Sequence, residues 1–452
     1  MSDRNVHRAG VGLIVAGILL NPLFVGWLFS PDGKMHSISV IICLVLVNVF
    51  LLASGSIILR TERNLTLRSL GFAATTVIVV LVTLEIGLHL IVHLFDPGHH
   101  AINRRLSLSI YRDSAWAPEL FSEDASIRSD VVSFVGWRSH EFSGKFIHVD
   151  SSGCRMTVQD VRPGDREPAE VSIFGGSSAW GIYARDSQTI PSHLARLLND
   201  RGYPCRITNE AEKGYTFLQG VTRLITLLQQ GKRPDLVVFY DGFNDVINAY
   251  LSGKAGGLGL TGYLEGLLQL QQESPLKQVG MIVREFVTRH SMIYRGVDRA
   301  RKLIAGSSDD DLRPPAYNGR EQTDLASQVA DTYASAHRLL DMLAREYHFS
   351  YACFLQPTLY TKASTTREER GLQGLAQDPD AGKFLRESYR QLGARNLAHF
   401  FNLSAVLDTC VGTCYSDYCH VSEQCNAVIA GAITDTLISS HVLTLRNKPV
   451  SD

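Results

Sequence analysis

Hydrophobic positions follow two different patterns along the chain. Residues 11–30, 37–59 and 69–95 are apolar on every side and are joined by very short polar loops. Each run matches the roughly 20 residues that a helix needs to cross a bilayer. The pattern predicts a membrane anchor over 1–95 with three transmembrane helices. Asn21-Pro22 interrupts the first run, which a membrane helix tolerates. A cleaved leader would explain only that first run, and residues 20–35 lack a small-x-small cleavage pattern.

From residue 171 the pattern alternates. Apolar runs at 171–174, 205–209, 235–240, 350–356 and 403–407 read as buried strands. Amphipathic stretches lie between them, Pro191 to Asn199 before Gly202 and Gln219 to Gln230 before Gly231, with a further helix over 323–347. Strand–helix alternation predicts a parallel sheet with crossover helices, an α/β three-layer αβα sandwich of flavodoxin-like type. Ligands in such sheets bind beyond the carboxyl ends of the strands.

The remaining segments are less regular. Residues 96–170 connect anchor and sheet, with a polar, aromatic, turn-rich surface connection to 130 and short strands over 131–160. An insertion over 245–330 interrupts the alternation, as a lid, a platform for a large substrate, or extra scaffold. Residues 441–452 form a tail, so the catalytic unit is expected over 171–440.

Charge adds an orientation. The net charge is −1, so no global field favours nucleic acid. Arg4 and Arg8 precede the first span, and Arg60, Arg63 and Arg68 fill the second loop, whereas the first loop carries only Lys34. Positive-inside logic puts those arginines in the cytoplasm and everything after residue 96 outside, against the smaller weight of Arg104 and Arg105. The expected location is a bacterial inner (cytoplasmic) membrane, with the large domain in the periplasm or extracellular. Glu85, His89 and His93 share one face of the third span and suggest either an interfacial cluster or a membrane partner.

The candidate chemistry starts at Val171-Ser-Ile-Phe-Gly-Gly-Ser-Ser-Ala-Trp-Gly181. A serine at a strand tip among residues with little side chain is reachable by substrate, and its neighbouring N–H groups are free to hold an oxyanion. Asn209-Glu-Ala-Glu-Lys-Gly214 follows the second strand, Asp241-Gly-Phe-Asn244-Asp245 the third, and Asp417-Tyr-Cys-His420 lies near the end. All fall at the same end of the expected sheet. Gly214 N–H and the Asn244 amide then join Ser177 N–H around one carbonyl oxygen, His420 takes the Ser177 proton, and Asp417 orients the imidazole.

These four stretches, in this order, resemble the SGNH hydrolase family, also called GDSL esterases, over about 171–440. The resemblance rests on Gly175-Gly176-Ser177 with Gly181, on Gly214, on Gly242-Phe-Asn244-Asp245 and on Asp417-x-x-His420. It implies Ser177 as nucleophile, His420 as base, Asp417 as its partner, and Ser177, Gly214 and Asn244 as the oxyanion hole. Gly176 stands where the signature has Asp, which marks a divergent branch. The ordinary α/β-hydrolase elbow Gly-x-Ser-x-Gly fails at Ala179.

Four cysteines crowd around His420. The spacing of Cys410, Cys414, Cys419 and Cys425 matches no familiar zinc module. Outside the cytoplasm, one or two disulfides holding the His420 loop are expected instead, with the connectivity open. No metal or cofactor is expected.

The combined reading is a membrane-anchored serine esterase, a deacylase and most simply an O-acetyl esterase. Its expected substrate is an acylated carbohydrate of the envelope or an exopolysaccharide, a substrate class that the resemblance and the expected location together imply. An O-acyltransferase with the same triad is the alternative, and a non-catalytic glycan-binding or assembly protein a third. Trp116, Trp137 and Trp180 are candidate sugar-stacking residues as well as candidates for the core.

Overall fold

The computed structural model describes residues 105–161, 167–257, 319–372 and 379–443 continuously, with short or isolated stretches between 11 and 86 and between 277 and 294. The three expected spans lie largely outside the described residues, as does most of 245–330. Among the described residues no helix is long and apolar enough to cross a membrane. The chain divides into two compact units, Met1–His100 with Leu270–Asp309, and Ala101–Gln269 with Asp310–Asp452.

In the first unit Ser291 Oγ donates to Glu85 Oε2 at 3.0 Å. His89 and His93 lie outside the described residues.

The second unit is built on five parallel strands, β1 Ala169–Gly175, β2 Cys205–Asn209, β3 Leu236–Asp241, β4 Ser350–Leu355 and β5 Phe400–Asn402. Their order is β2-β1-β3-β4-β5. The central β3 reads Leu-Val-Val-Phe-Tyr-Asp and is buried at every position, as a strand covered on both faces must be.

Among the described residues the sheet is joined by helices α1 Ser177–Trp180, α2 Ile190–Asp200, α3 Phe217–Gln229, α4 Phe243–Ser252, α5 Gly319–Tyr347, α6 Pro379–Gly393 and α7 Glu423–Ser439. Alternating strand residues face opposite layers. Ile173 and Val238 pack with Leu194 and Leu198 of α2 and with Ile429 and Ile433 of α7. Phe174 and Phe239 pack with Val221 of α3, Val246 of α4, Leu340 of α5 and Phe384 of α6. The result is three layers, helix–sheet–helix.

Local chemistry fixes where helices begin. Thr189, Thr216 and Ser422 cap α2, α3 and α7 by accepting backbone N–H groups, each a stabilisation of about 1 kcal/mol. At Thr216 the cap is reciprocal, with the Gln219 side chain returning to the Thr216 N–H at 3.1 Å.

Three sequence expectations change. The last strand lies at Phe400–Asn402, and 403–407 forms turns instead. Leu403 and Leu407 are buried beside the sheet without belonging to it, and this hides the strand boundary. The alternation also continues past 245, because α4 runs to Ser252 and packs on the sheet before Gly253 ends it in a left-handed conformation. Finally, 96–130 is more than a surface connection. Ala117–Ser126 is a helix whose Ala117 and Phe121 pack with Tyr111.

Candidate active site

Every strand of the sheet ends toward one edge, and the singled-out residues gather there. β1 runs into Gly175 at φ +153, where an added Cβ would stand 2.1 Å from Tyr240 O. Only glycine lets β1 and β3 approach so closely at this point. Gly176 then caps α1, and Ser177 is the first residue of that single turn. Gly181 ends the turn at φ 96, and its N–H returns to Ser177 O at 2.9 Å. The chain is thus bent away just after the serine, leaving its hydroxyl at the surface of the edge.

Ser177 Oγ lies 2.6 Å from His420 Nε2, and His420 Nδ1 lies 2.7 Å from Asp417 Oδ2. With Asp417 accepting at Nδ1, the neutral ring carries its proton there and offers a lone pair to the serine. Asp417 Oδ1 accepts the N–H groups of Cys419 at 3.0 Å and His420 at 2.8 Å. Burial pushes Asp417 up, but the His420 ring and these hydrogen bonds outweigh it and hold the carboxyl below the usual carboxylate range. Ser178 is distinguishable from Ser177: it is buried, and its hydroxyl donates to Cys419 O at 3.3 Å.

Of the expected oxyanion residues, Asn244 comes up against Gly176, next to Ser177. A Cβ at Gly176 would meet Asn244 Nδ2 at 2.4 Å and Tyr215 O at 3.4 Å. Gly176 is therefore the space into which the Asn244 amide fits. Asn244 Nδ2 also donates to Tyr215 O at 2.8 Å. One amide hydrogen is thus tied to the loop after β2, and the other stays available to a ligand. Gly214 directly precedes Tyr215 and takes φ +79 against the Trp137 ring.

The loop that carries Gly214 is held by residues that motif reasoning passed over. Trp137 Nε1 donates to Lys213 O at 2.9 Å, and Tyr215 Oη donates to Trp137 O. Ser139 N donates to Glu212 Oε2 at 2.6 Å, and Arg138 Nη1 donates to Glu210 O at 2.8 Å. Trp137, Arg138 and Ser139 belong to a hairpin pairing Ser129–Val132 with Gly136–Ser139. The segment expected merely to precede the core thus fixes one donor loop of the site. Nearby, the buried Arg155 donates from Nε to Asp186 Oδ1 at 3.0 Å and from Nη1 to Gly181 O at 2.5 Å, pinning the turn that ends α1. An arginine flanked by Cys154 and Met156 gives little sequence signal of that role.

The three tryptophans separate. Trp180 is fully buried, with Arg155 stacked 4.3 Å from its ring centroid, so it is core and not a sugar platform. Trp137 is half-buried beside Gly214, and Trp116 is half-buried under Arg185.

At the mouth, Arg105 Nη2 lies 3.8 Å from Asp417 Oδ2. Its guanidinium stands 4.4 Å over the Tyr183 ring, which in turn meets His420 edge-on at 5.4 Å. Tyr183 holds φ 62, a left-handed angle uncommon for an aromatic residue.

The four cysteines do not gather as one group. All seven described cysteines are free thiols. Cys419 stands apart from the others, its sulfur 3.7 Å from His420 Nδ1. Cys410, Cys414 and Cys425 instead gather with their sulfurs within 4.8 Å of one another. The reason is the β-bridge Tyr415↔Val421, which folds the loop back and leaves Cys414 and Cys425 just outside it and Cys419 at its tip.

No family model matches the chain, and no curated protein matches it. Among solved structures, a protein described as TesA is similar at 15% identity with a TM-score of 0.32, covering 61% of this chain and 99% of that one. The acetyl xylan esterase AlAXEase is similar at 13% identity and 0.30, covering 59% and 99%. The lipase/acylhydrolase from Enterococcus faecalis is similar at 14% and 0.31, covering 63% and 100%. These are distant likenesses, and the chemistry of the site rests on its own geometry.

Proposed function

We propose that the chain is a serine ester hydrolase of SGNH type, with Ser177, His420 and Asp417 as its triad and the Ser177 N–H, the Gly214 N–H and the Asn244 amide as its oxyanion donors. The observation that supports this reading best is the continuous relay from Ser177 Oγ through His420 to Asp417, with contacts of 2.6 Å and 2.7 Å.

In this reading His420 Nε2 removes the hydroxyl proton as Ser177 Oγ attacks the ester carbonyl. Charge moves onto the carbonyl oxygen, where the preorganised N–H donors stabilise it, each by about 3 kcal/mol. The imidazolium then protonates the departing alcohol, leaving an acyl-serine. Water enters, gives its proton to His420 and releases the acid. Asp417 stays ionised throughout, which favours the charged ring.

The finer reading is removal of a small acyl group, most simply acetyl, from a carbohydrate ester of the envelope, by an enzyme anchored in the inner membrane with its catalytic unit outside. The anchor and its orientation are supported by the three apolar runs and their arginine asymmetry, and the carbohydrate ester by the resemblance together with that location.

The test is p-nitrophenyl acetate hydrolysis by the full-length chain and by Ser177→Ala. Wild-type turnover that falls by about 10⁴-fold or more in the variant is expected. A folded wild type with no turnover on this ester or on acetylated glycan would sink the hydrolase reading. Acetyl transfer to added glycan that outpaces hydrolysis would identify a transferase instead.

A further inference from the structure

The sulfurs of Cys410, Cys414 and Cys425 lie within 4.8 Å of one another. Cys414 and Cys425 are buried, and Cys410 is half-buried. Cys414 and Cys425 belong to the apolar core and Cys410 packs against it, with one buried ion pair alongside. Lys362 and Glu369, both buried, pair beside them at 2.8 Å. Glu369 Oε1 accepts the N–H of Cys414 at 2.9 Å and of Tyr415 at 3.2 Å, and Lys362 Nζ donates to Gly412 O at 3.3 Å. Cys425 sits in the first turn of α7, where its N–H reaches Ser422 Oγ at 3.3 Å. The three thiols therefore occupy the two feet of the loop that carries Asp417 and His420.

We propose that these three cysteines form a thiol–disulfide exchange site in which a single disulfide settles between Cys414 and Cys425 and Cys410 is the entry thiol. Three sulfurs allow one disulfide and leave one thiol over, unlike the two independent bridges that four cysteines would suggest. Exposure and charge assign the order. Cys410 is the half-buried thiol of the three and the one an oxidant reaches. All three sulfurs are within reach of one another, and hydrogen bonding from Cys425 and the Lys362 ammonium lower the Cys414 thiol to about 6, which makes it the ready second nucleophile.

The chemistry balances with an external disulfide RS–SR as the oxidant. The Cys410 thiol loses its proton and attacks RS–SR, the S–S bond breaks, and one RS⁻ leaves and is protonated. Cys414 thiolate attacks Cys410 Sγ and expels the second RS⁻, forming Cys410–Cys414. Cys425, losing its proton, attacks Cys414 Sγ and expels Cys410 as thiolate, which takes up a proton. Two thiols are oxidised and one RS–SR is reduced to two RSH. The final bridge ties the two feet of the His420 loop together and returns Cys410 to solvent.

Thiol mapping of the full-length chain tests this independently of any ester cleavage. Reduced protein is exposed to oxidised glutathione or kept in dithiothreitol, quenched in acid, alkylated after denaturation, and digested without reduction for mass spectrometry. The expected map has one disulfide, Cys414–Cys425, with Cys410 and Cys419 alkylated. Cys425→Ser should move the bridge to Cys410–Cys414. Cys410→Ser should still reach Cys414–Cys425, but at least tenfold more slowly.

Three alkylated thiols in oxidant-treated, folded wild type would overturn the proposal. So would a bridge to Cys419, an undiminished rate in Cys410→Ser, or one zinc per chain retained through dialysis. The wild-type map decides the matter even where a variant does not fold.

Discussion

Two walls meet at Ser177, and burial and hydrogen bonding shift their acidic residues in opposite directions. On the proposed oxyanion side, Asp241 and Asp245 flank Asn244. Burial pushes Asp241 well above the ordinary carboxylate range, and Asp245 adds to it, while burial lifts Asp245 to about 7. Tyr333 Oη donates to Asp241 at 2.8 Å, and the Phe217 N–H reaches Asp245 at 3.1 Å. On the base side, Asp417 and Glu369 are held below the ordinary range. For each, burial raises the value but is outweighed, at Asp417 by His420 and backbone N–H groups and at Glu369 by Lys362 and backbone N–H groups. The difference has a chemical sense. Negative charge beside an oxyanion would oppose catalysis, whereas an imidazolium needs a carboxylate next to it. The fold favours the protonated carboxyl on one wall and the carboxylate on the other.

The base wall should break most severely. Glu369→Gln removes the charge from a pair whose side chains are 1% and 0% exposed. It leaves Lys362 buried without a counter-charge, and it weakens acceptance of the Cys414 and Tyr415 N–H groups. A loss of about 3–5 kcal/mol is expected, read as a lower urea midpoint with unchanged slope. Replacing both partners, as Lys362→Met with Glu369→Leu, should recover much of that loss. Equal stability in wild type and Glu369→Gln would show that the loop stands without the pair.

The oxyanion wall should break in activity before stability. In Gly176→Ala the new Cβ falls where the Asn244 amide now lies. The amide sits at the end of its side chain, so it moves aside and the donor is lost. The expected cost is about 10²–10³ in kcat with a much smaller effect on KM. Unchanged kcat on p-nitrophenyl acetate would remove Asn244 from the oxyanion hole.

Protonation offers a gentler test of the same contrast. For Asp245 the folded value is raised, so its stabilising contribution is complete below the unfolded carboxylate range, about pH 4. It is lost as pH rises through about 7. For Asp417 the sign reverses: the contribution is present above the unfolded range and lost as pH falls through its lowered value. Asp245→Asn should therefore flatten the decline in stability between pH 5 and pH 8, a change of about 1–3 kcal/mol shared with the coupled Asp241. Urea midpoints at the two pH values would show it, and an unaltered decline would move the effect elsewhere.

What could be read from the sequence also differs between the walls. The nucleophile turn is local: Gly175, Gly176, Ser177 and Gly181 lie within one short run, and their conformations follow from missing Cβ atoms. The strand–helix alternation likewise gave β1 to β4 to within a residue or two. The supports are long-range and carry no periodic signal. Arg138 and Trp137 act on a loop more than seventy positions away, and Glu369 acts on the Cys414 N–H forty-five positions away. The last strand lies earlier than the apolar run suggests because Leu403 and Leu407 are as buried as strand residues while lying just beyond the strand.

Arg105 should give the smallest effect, and it probes where the two walls open to solvent. Its guanidinium is 3.8 Å from Asp417 Oδ2, the oxygen that also holds His420 Nδ1. It therefore competes with the imidazolium for one carboxylate, while its position over Tyr183 packs the aromatic ring against His420. The two consequences oppose each other. Removing the charge strengthens the Asp417–His420 interaction, and removing the side chain loosens Tyr183 from its left-handed conformation. The arginine side chain is 29% exposed, so solvent screens the pair and its worth is below about 1 kcal/mol. Arg105→Gln should change kcat/KM less than about fivefold, and it should reduce the salt dependence of the rate between low and high ionic strength. A drop beyond a hundredfold would mean that Arg105 touches the substrate itself, and the mouth of the site would then be a binding wall in its own right.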